Sequence, residues 1–401
     1  MNSNTIYQTF GTDYKEMTKL LLREADLKDM IPANARIGIK PNLVAPSPAD
    51  FGATTHPEIV AGIIEYLRDN SRTDIRIIEG SWVGDATADA FEYCGYNSLA
   101  DEYDVELVDC QKELSYERDC SGMNLRICNI VADVDFLINV PVLKGHCQTR
   151  ITCALKNMKG LIPNSEKRRF HTLGLHEPIA HLNTGIKQNF IVIDNICGDH
   201  DFEEGGNPVV KNSIMCGTDP VLIDAYVCRY LGYKPDDVRY VTLARSLGVG
   251  SDKLDDLLLR TYLPNSSASS GADTPNADMT VINQIGEEIF LNPVTESGIA
   301  SGNRDASVYH RILDVAYAAE DADSCSSCYA GLVGALTRLH DEGLLKKFDG
   351  KLCIGQGHRG KSGEYGIGNC TSCFRHYVKG CPPEEDDIYE AVKSWCFNYI
   401  F

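Results

Sequence analysis

The stretch that decides the reading of this chain is Asp135–Pro163, DFLINVPVLKGHCQTRITCALKNMKGLIP. It opens as a buried strand, because Phe136, Leu137, Ile138, Val140, Val142 and Leu143 form a nearly continuous apolar run, as in a parallel sheet covered on both faces. Lys144, Gly145, His146, Gln148, Thr149 and Arg150 follow at once, and a helix is expected from there. Ile151, Leu155 and Met158 recur at helical spacing on its buried side. Thr149, Thr152 and Lys156 form a polar stripe. Strand, glycine-containing turn and helix N-terminus together make an expected anion site, with free amides and the helix dipole facing the ligand. No GxxxxGK(S/T) phosphate loop is present.

Outward from this stretch the pattern repeats. RIGIK (Arg36–Lys40) reads as a strand ended by Pro41 and Asn42. Strand Asp74–Ile78 runs into Glu79, Gly80 and Ser81. VELVDC and NFIVIDN are further strands, the second ending in Asp194 and Asn195. Helices are expected in EMTKLLLREADL, from about Pro57, where His56 reads as a helix N-terminal residue, in ATADAFEYCGY, over Gly217–Tyr230 with Asp219 near its cap, and over Asp236–Leu247. Residues 1–35 carry helix and loop only in this reading. The alternation gives an α/β class, an open, mostly parallel sheet with helices on both faces. Ligands in such sheets bind beyond the strand carboxyl ends. Lys40, Asn42, Glu79, Lys144, His146 and Asp194 all fall there. Lys144, His146, Glu79 and Asp194 are the catalytic candidates: strand-end carboxylates suit acid–base work when buried, and histidine can donate a proton or bind metal. Lys40, Asn42, Thr149, Thr152, Lys156 and Asn157 are the cofactor-binding candidates, the lysines for a carboxylate or phosphate.

The composition narrows the partners. With 57 acidic against 38 basic residues the formal charge is −19. That disfavours nucleic acid and anionic membrane surfaces. No apolar run of about 18 residues is present to span a bilayer, and the first residues lack the order of a secretion signal. A cytoplasmic protein is expected, with a small anionic substrate or cofactor as its ligand. A redox partner protein and a homo-oligomer are compatible with this reading.

Sixteen cysteines in a reducing compartment imply metal where clustered and packing where scattered. They also suit a low-oxygen, anaerobic habitat. Cys325, Cys328, Cys353, Cys370, Cys373 and Cys381 crowd the C-terminus. A segment rich in Ser, Gly, Pro and Asn, Leu263–Met279, reads as loop or linker. MTVINQIGEEIFLNP reads as a short hairpin. A second polar run ends near Ser307, so an α/β domain over 1–307 (its end, 263–307, rich in linker) and a small cysteine-rich α+β domain over 308–401 are expected.

GNC…GCPP resembles the cluster-binding segment of hydrogenase small subunits, where a cysteine before two prolines ligates a 4Fe-4S cluster. That resemblance implies Cys325, Cys328, Cys370 and Cys381 as ligands of one such cluster, or more than one. Cys353 sits in a strand-like run, and Cys373 is an alternative to Cys370. A structural zinc held by Cys325, Cys328, Cys370 and Cys373 is the competing assignment, with wide spacing between the pairs and Cys381 unexplained. Separately, KPN (Lys40–Asn42), EGS (Glu79–Ser81), VPVLKGH…LKNMKGL, His171, Asp194-Asn195 and GTDPVLIDA (Gly217–Ala225) resemble the uncharacterised prokaryotic "domain of unknown function 362" family. Its members frequently carry C-terminal iron–sulfur domains, although the usual run of four closely spaced cysteines is missing here. The expected function is an iron–sulfur oxidoreductase or electron-transfer enzyme acting on an anionic small molecule. The alternative is a non-redox enzyme or binding protein with a structural C-terminal metal. Whether a second metal binds at His146 and Glu79 is left open at this point.

Overall fold

A computed structural model describes residues 3–264, 279–294, 314–322 and 324–397. The chain divides into two compact units, residues 1–145 with 151–308, and residues 146–150 with 309–401. The expected boundary near Ser307 and most of the 263–307 segment lie outside the described residues.

In chain order the described strands up to residue 285 are β1 (Thr5–Phe10), β2 (Ile37–Pro41), β3 (Ile75–Glu79), β4 (Glu106–Asp109), β5 (Ser115–Cys120), β6 (Met123–Cys128), β7 (Phe136–Val140), β8 (Lys144–His146), β9 (Arg150–Thr152), β10 (Phe190–Asp199), β11 (Pro208–Gly217), β12 (Leu258–Pro264) and β13 (Met279–Ile285). Nine of them form one sheet in the order β13-β12-β1-β11-β10-β7-β2-β3-β4. β10, β7, β2, β3 and β4 are mutually parallel. β11 is antiparallel to both β10 and β1, and β13 is antiparallel to β12. The expected mostly parallel α/β sheet is therefore present, with two reversed strands.

Alternate side chains of the central strands feed two separate cores. Leu137, Ile191 and Ile193 pack on one side with helices His176–Gly185, Pro220–Tyr230 and Arg239–Ser246. Ile39, Ile138 and Val192 pack on the other with helices Tyr14–Glu24 and Pro57–Asp69. This is why β7 and the first half of β10 are mostly apolar: neither face meets water, and every residue of both strands is buried.

Three local expectations change. The N-terminal segment contributes β1, which pairs with β11 and β12, ahead of its helix. Met279–Ile285 is not half of a local hairpin but pairs antiparallel with β12, and EIFL after it is a short helix, Glu288–Leu291. In the opening stretch, β8 and β9 form a two-stranded sheet, and the helix starts only at Ala154, continuing as a 3₁₀ turn through Leu161. Its start is set by a distant residue. The buried Asp224 carboxylate accepts the amides of Ala154 (2.8 Å) and Leu155 (3.2 Å), occupying the donors that were expected to face a ligand.

The second unit carries four three-residue strands, β14 (Ala319–Asp321), β15 (Leu352–Ile354), β16 (Tyr365–Ile367) and β17 (His376–Val378), all parallel and in sequence order. Between β15, β16 and β17 the chain makes 3₁₀ turns (Gln356–His358, Asn369–Thr371) rather than helices. Helix Ser326–Asp341 packs on helix Glu385–Phe397, and Leu332, Leu336, Ile388 and Val392 are buried. Arg338 ties the helices at the surface through Asp386 (2.6 Å).

Candidate functional site: a buried lysine cluster, a histidine pair and a thiol group

The strand ends of β2 and β3 meet in a buried ion pair. Lys40 Nζ lies 2.7 Å from Glu79 Oε1 and donates to Pro41 O. Glu79 also accepts the amides of Leu43 (2.8 Å) and Gly80 (2.7 Å). A carboxylate taken out of water needs such partners. Glu79 is thus engaged by Lys40 and two amides. Asn42 is buried and its amide donates to Thr55 Oγ1. Asn157 donates to the carbonyls of Lys40 and Pro41 and to Asn139 Oδ1, so it braces the strand ends. Thr152 Oγ1 accepts from Lys156 Nζ at 3.2 Å.

Around this pair the unit buries several more amines. Burial, and then the neighbouring charge of Lys156, pull Lys144 down to about 7 against the pull of Glu203, Glu204 and Asp199. Its ammonium donates to the carbonyls of Ala53 and Glu203. Burial, Lys156 and Lys167 bring Lys159 to about 7. Burial brings Lys167 to about 8, with Glu79 opposing, while it donates to the carbonyls of Gly80 and Ser81. His171 falls to about 3 through burial, Lys159 and Lys156. Cations that depress one another are stabilised by an anion placed among them.

A second group joins β10 to the helix at Pro57. His56 occupies the N-cap of Pro57–Asp69, with proline at N1, an extended conformation favoured before proline. Its backbone amide and its Nδ1 both lie 2.8 Å from Asp194 Oδ2. Burial works to lower its pKa, but the Asp194 carboxylate overrides burial and raises it to about 11. The other ring edge, Nε2, faces Cys197 Sγ (3.7 Å) and Asp50 Oδ1 (3.5 Å). The sequence singled out Asp194 as a strand end, whereas β10 runs on through Asp199 and places it mid-strand. The roles of His56 and Cys197 were not visible, since both depend on contacts between distant elements.

In the second unit, His146 Nδ1 accepts the amides of Gln148 (3.0 Å) and Thr149 (3.1 Å), so this ring nitrogen and the Thr149 amide hold the turn together. Gln148 donates to Ser324 O (2.6 Å). Cys325 is the N-cap of helix Ser326–Asp341. A hydrogen bond with Cys328 lowers the Cys325 thiol to about 7, Arg359 lowering it further against burial. Cys328 is raised by that same bond, then by burial, Cys325, Cys381 and Cys370. Arg359 Nε lies 3.5 Å from Cys370 Sγ, and Gln356 reaches Cys325 Sγ at 3.9 Å. Cys353 lies within 4.8 Å of Glu320 and His358 donors. The chain therefore carries His, Cys and carboxylate groups placed as in metal-binding proteins.

Residues 37–229 match the family described as "Domain of unknown function (DUF362)". A thylakoid-associated protein of Synechocystis sp. is 28% identical over 167 residues, 40% of this chain and 50% of that protein. The chain thus spans half the length of this curated relative. The lactate racemase apoprotein from Thermoanaerobacterium thermosaccharolyticum aligns over 56% of each chain with a TM-score of 0.38 and 14% identity. Among the described residues no helix is long and apolar enough to cross a membrane.

Proposed function

We propose that the chain is an iron–sulfur oxidoreductase whose α/β unit binds a small anionic substrate or cofactor. The observation that carries the anion half is the crowding of buried amines: burial lowers Lys144, Lys159 and Lys167, Lys156 lowers Lys144 and Lys159 further, and Lys40 lowers Lys167 against the pull of Glu79. In this reading Lys144 and Lys156 hold the anion, and Lys40 holds Glu79 in place. The cluster half rests on four thiols sharing one electrostatic neighbourhood with Arg359. Cys370 and Cys381 both act on Cys328, and Arg359 senses Cys370, Cys325 and Cys381. Soft thiolates suit an iron–sulfur cluster, and a nearby guanidinium stabilises their negative charge. Cys325, Cys328, Cys370 and Cys381 would hold one 4Fe-4S cluster, which supplies one-electron transfer to the bound substrate or to a partner protein. The 308–401 region is then the cluster domain of a cytoplasmic protein.

The test is iron and acid-labile sulfide analysis of the full chain purified without oxygen, with visible spectra before and after dithionite. Iron and sulfide in equal amounts, with a broad absorption that bleaches, support the proposal. A colourless preparation holding zinc instead of iron would overturn the redox half and leave the structural-metal alternative. Titration with inorganic phosphate and a dicarboxylate tests the anion half separately.

A further inference from the structure

Regular strand geometry should separate Asp194 from Cys197. Residues three apart on a strand point to opposite faces. Here the pairing of β10 with β11 shifts register between Asn195 and Cys197. Asn212 on β11 adopts a positive φ of 46°, so β11 carries the extra backbone of the bulge. The effect is visible in the core: Val192 and Ile196 pack in one cluster and Cys197 joins that same cluster, where alternation would send it to the other. Bulges re-aim side chains in this way. Asp194 and Cys197 consequently both reach one imidazole.

The third group is brought by a short 3₁₀ turn, Ala49–Phe51, which ends at Gly52 with φ 84°. A Cβ on Gly52 would meet Asp199 N at 2.7 Å, and the Gly52 carbonyl accepts from that same amide. Only glycine permits both the conformation and the approach. The turn is thus pinned to the end of β10, and it presents Asp50, whose side chain is 92% exposed.

We infer that Asp50, His56 and Cys197 form a binding site for a single divalent transition-metal ion of the zinc class, with Asp194 as the group that orients the histidine. The donor atoms all lie within 4.8 Å of one another. Tetrahedral binding with zinc-like bond lengths puts neighbouring ligand atoms about 3.3–3.5 Å apart. The observed separations from His56 Nε2 are 3.5 Å to Asp50 Oδ1 and 3.7 Å to Cys197 Sγ. The carboxylate on Nδ1 fixes the ring and directs Nε2 outward, the usual support of a metal-bound imidazole. A metal entering here replaces the Nε2 proton and the thiol proton. Histidine, thiolate and carboxylate together select a borderline ion over magnesium or calcium. Three protein ligands leave the fourth position, on the exposed Asp50 side, for water or substrate. The site is distinct from the C-terminal thiols and deepens the proposed function by adding a metal to the α/β unit, so the two must be read separately.

The experiment adds one equivalent of Co²⁺ to the full chain, purified without oxygen, and records the thiolate-to-cobalt charge-transfer band. Iron and sulfide are measured on the same samples and report the C-terminal cluster independently. The band should vanish in Cys197→Ser and persist in Cys325→Ser. Asp50→Ala, a surface change that leaves the fold intact, should weaken Co²⁺ binding at an unchanged melting temperature. Asp194→Asn should weaken it roughly 10–100-fold. A band that survives Cys197→Ser or disappears with Cys325→Ser would overturn the site. So would a chain that takes up no Co²⁺ while Cys197 is readily alkylated, since this would make the group a Cys–His pair for covalent chemistry.

Discussion

The same residue type does opposite work in the two units. All eight cysteines of the α/β unit, from Cys94 to Cys228, are buried. Burial pushes thiols such as Cys153 and Cys216 up, and these side chains fill space like small hydrophobes. In the C-terminal unit Cys325, Cys328, Cys353 and Cys370 are only half-buried, and Cys373 and Cys381 are exposed. Arg359 and hydrogen bonding hold the Cys325 thiol near neutrality. A buried thiol with only apolar neighbours is inert packing, unlike Cys197 beside His56, whereas a thiol left at the surface beside a cation is a ready thiolate ligand. The polar groups differ in the same sense: the α/β unit satisfies its charges internally, as in Lys40–Glu79 and His56–Asp194, while the C-terminal unit gathers thiols.

The sharpest way to break this comparison is to mutate cysteines of each kind. Cys325→Ser or Cys381→Ser should abolish iron incorporation in elemental analysis. Cys216→Ser should leave iron unchanged and cost about 1–3 kcal/mol of stability, because a hydroxyl replaces a thiol whose acceptor, Leu21 O, lies 3.9 Å away. Iron loss in all three would erase the distinction.

Lys40→Met removes one partner of a fully buried pair and strands Glu79. It should lower stability by roughly 3–5 kcal/mol, read from the denaturant midpoint. A change under about 1 kcal/mol would mean that the charges are not held as described.

Anion affinity should follow the buried amines. A bound anion favours their charged forms, so binding is strongest below about 7 and weakens as pH rises through about 7–8, where Lys144, Lys159 and Lys167 lose their protons. The stability of the ligand-free chain has the opposite slope. These lysines titrate lower folded than unfolded, so the unfolded chain holds more protons above about 7, and stability rises from there toward the ordinary lysine range. Calorimetric titration with phosphate at several pH values, beside thermal melts, checks both signs. An affinity flat with pH would remove the amines from the site.

The smallest effect belongs to Asp219→Ala. Asp219 caps helix Pro220–Tyr230 through the amides of Val221 and Leu222, and its loss should cost about 1 kcal/mol in thermal melts without affecting iron or anion binding.

Local patterns made much of the fold readable. The largely apolar β7 and the apolar start of β10, Phe190–Ile193, the strand-ending Pro41 and the Asp219-Pro220 helix start each carry their meaning within a few residues. The N-terminal strand was harder. TIYQTF has no apolar run, and its identity as β1 comes from pairing with β11 and β12 on either side, far away in sequence. The candidate site divides similarly. Lys40 and Glu79 stood out because each stands at the close of a strand, whereas Lys144, expected at a strand end, opens β8, and Asp194 lies mid-way along β10; whether such a lysine faces a ligand or a carboxylate depends on the neighbouring strand. Glu79 on β3 answers that for Lys40, and Asp224 answers it for the Ala154 helix start.

What the sequence determined by itself is the class of the fold, the strand-end position of Lys40 and Glu79 and the division of its cysteines into scattered and clustered sets, since all three follow from periodicity and composition. What only the tertiary structure decided is which charges neutralise one another and which donors converge. Asp194, His56, Cys197 and Asp50 meet because a bulge in β10–β11 and a glycine turn bring them together, and contacts between residues distant in sequence leave no periodic trace in the chain.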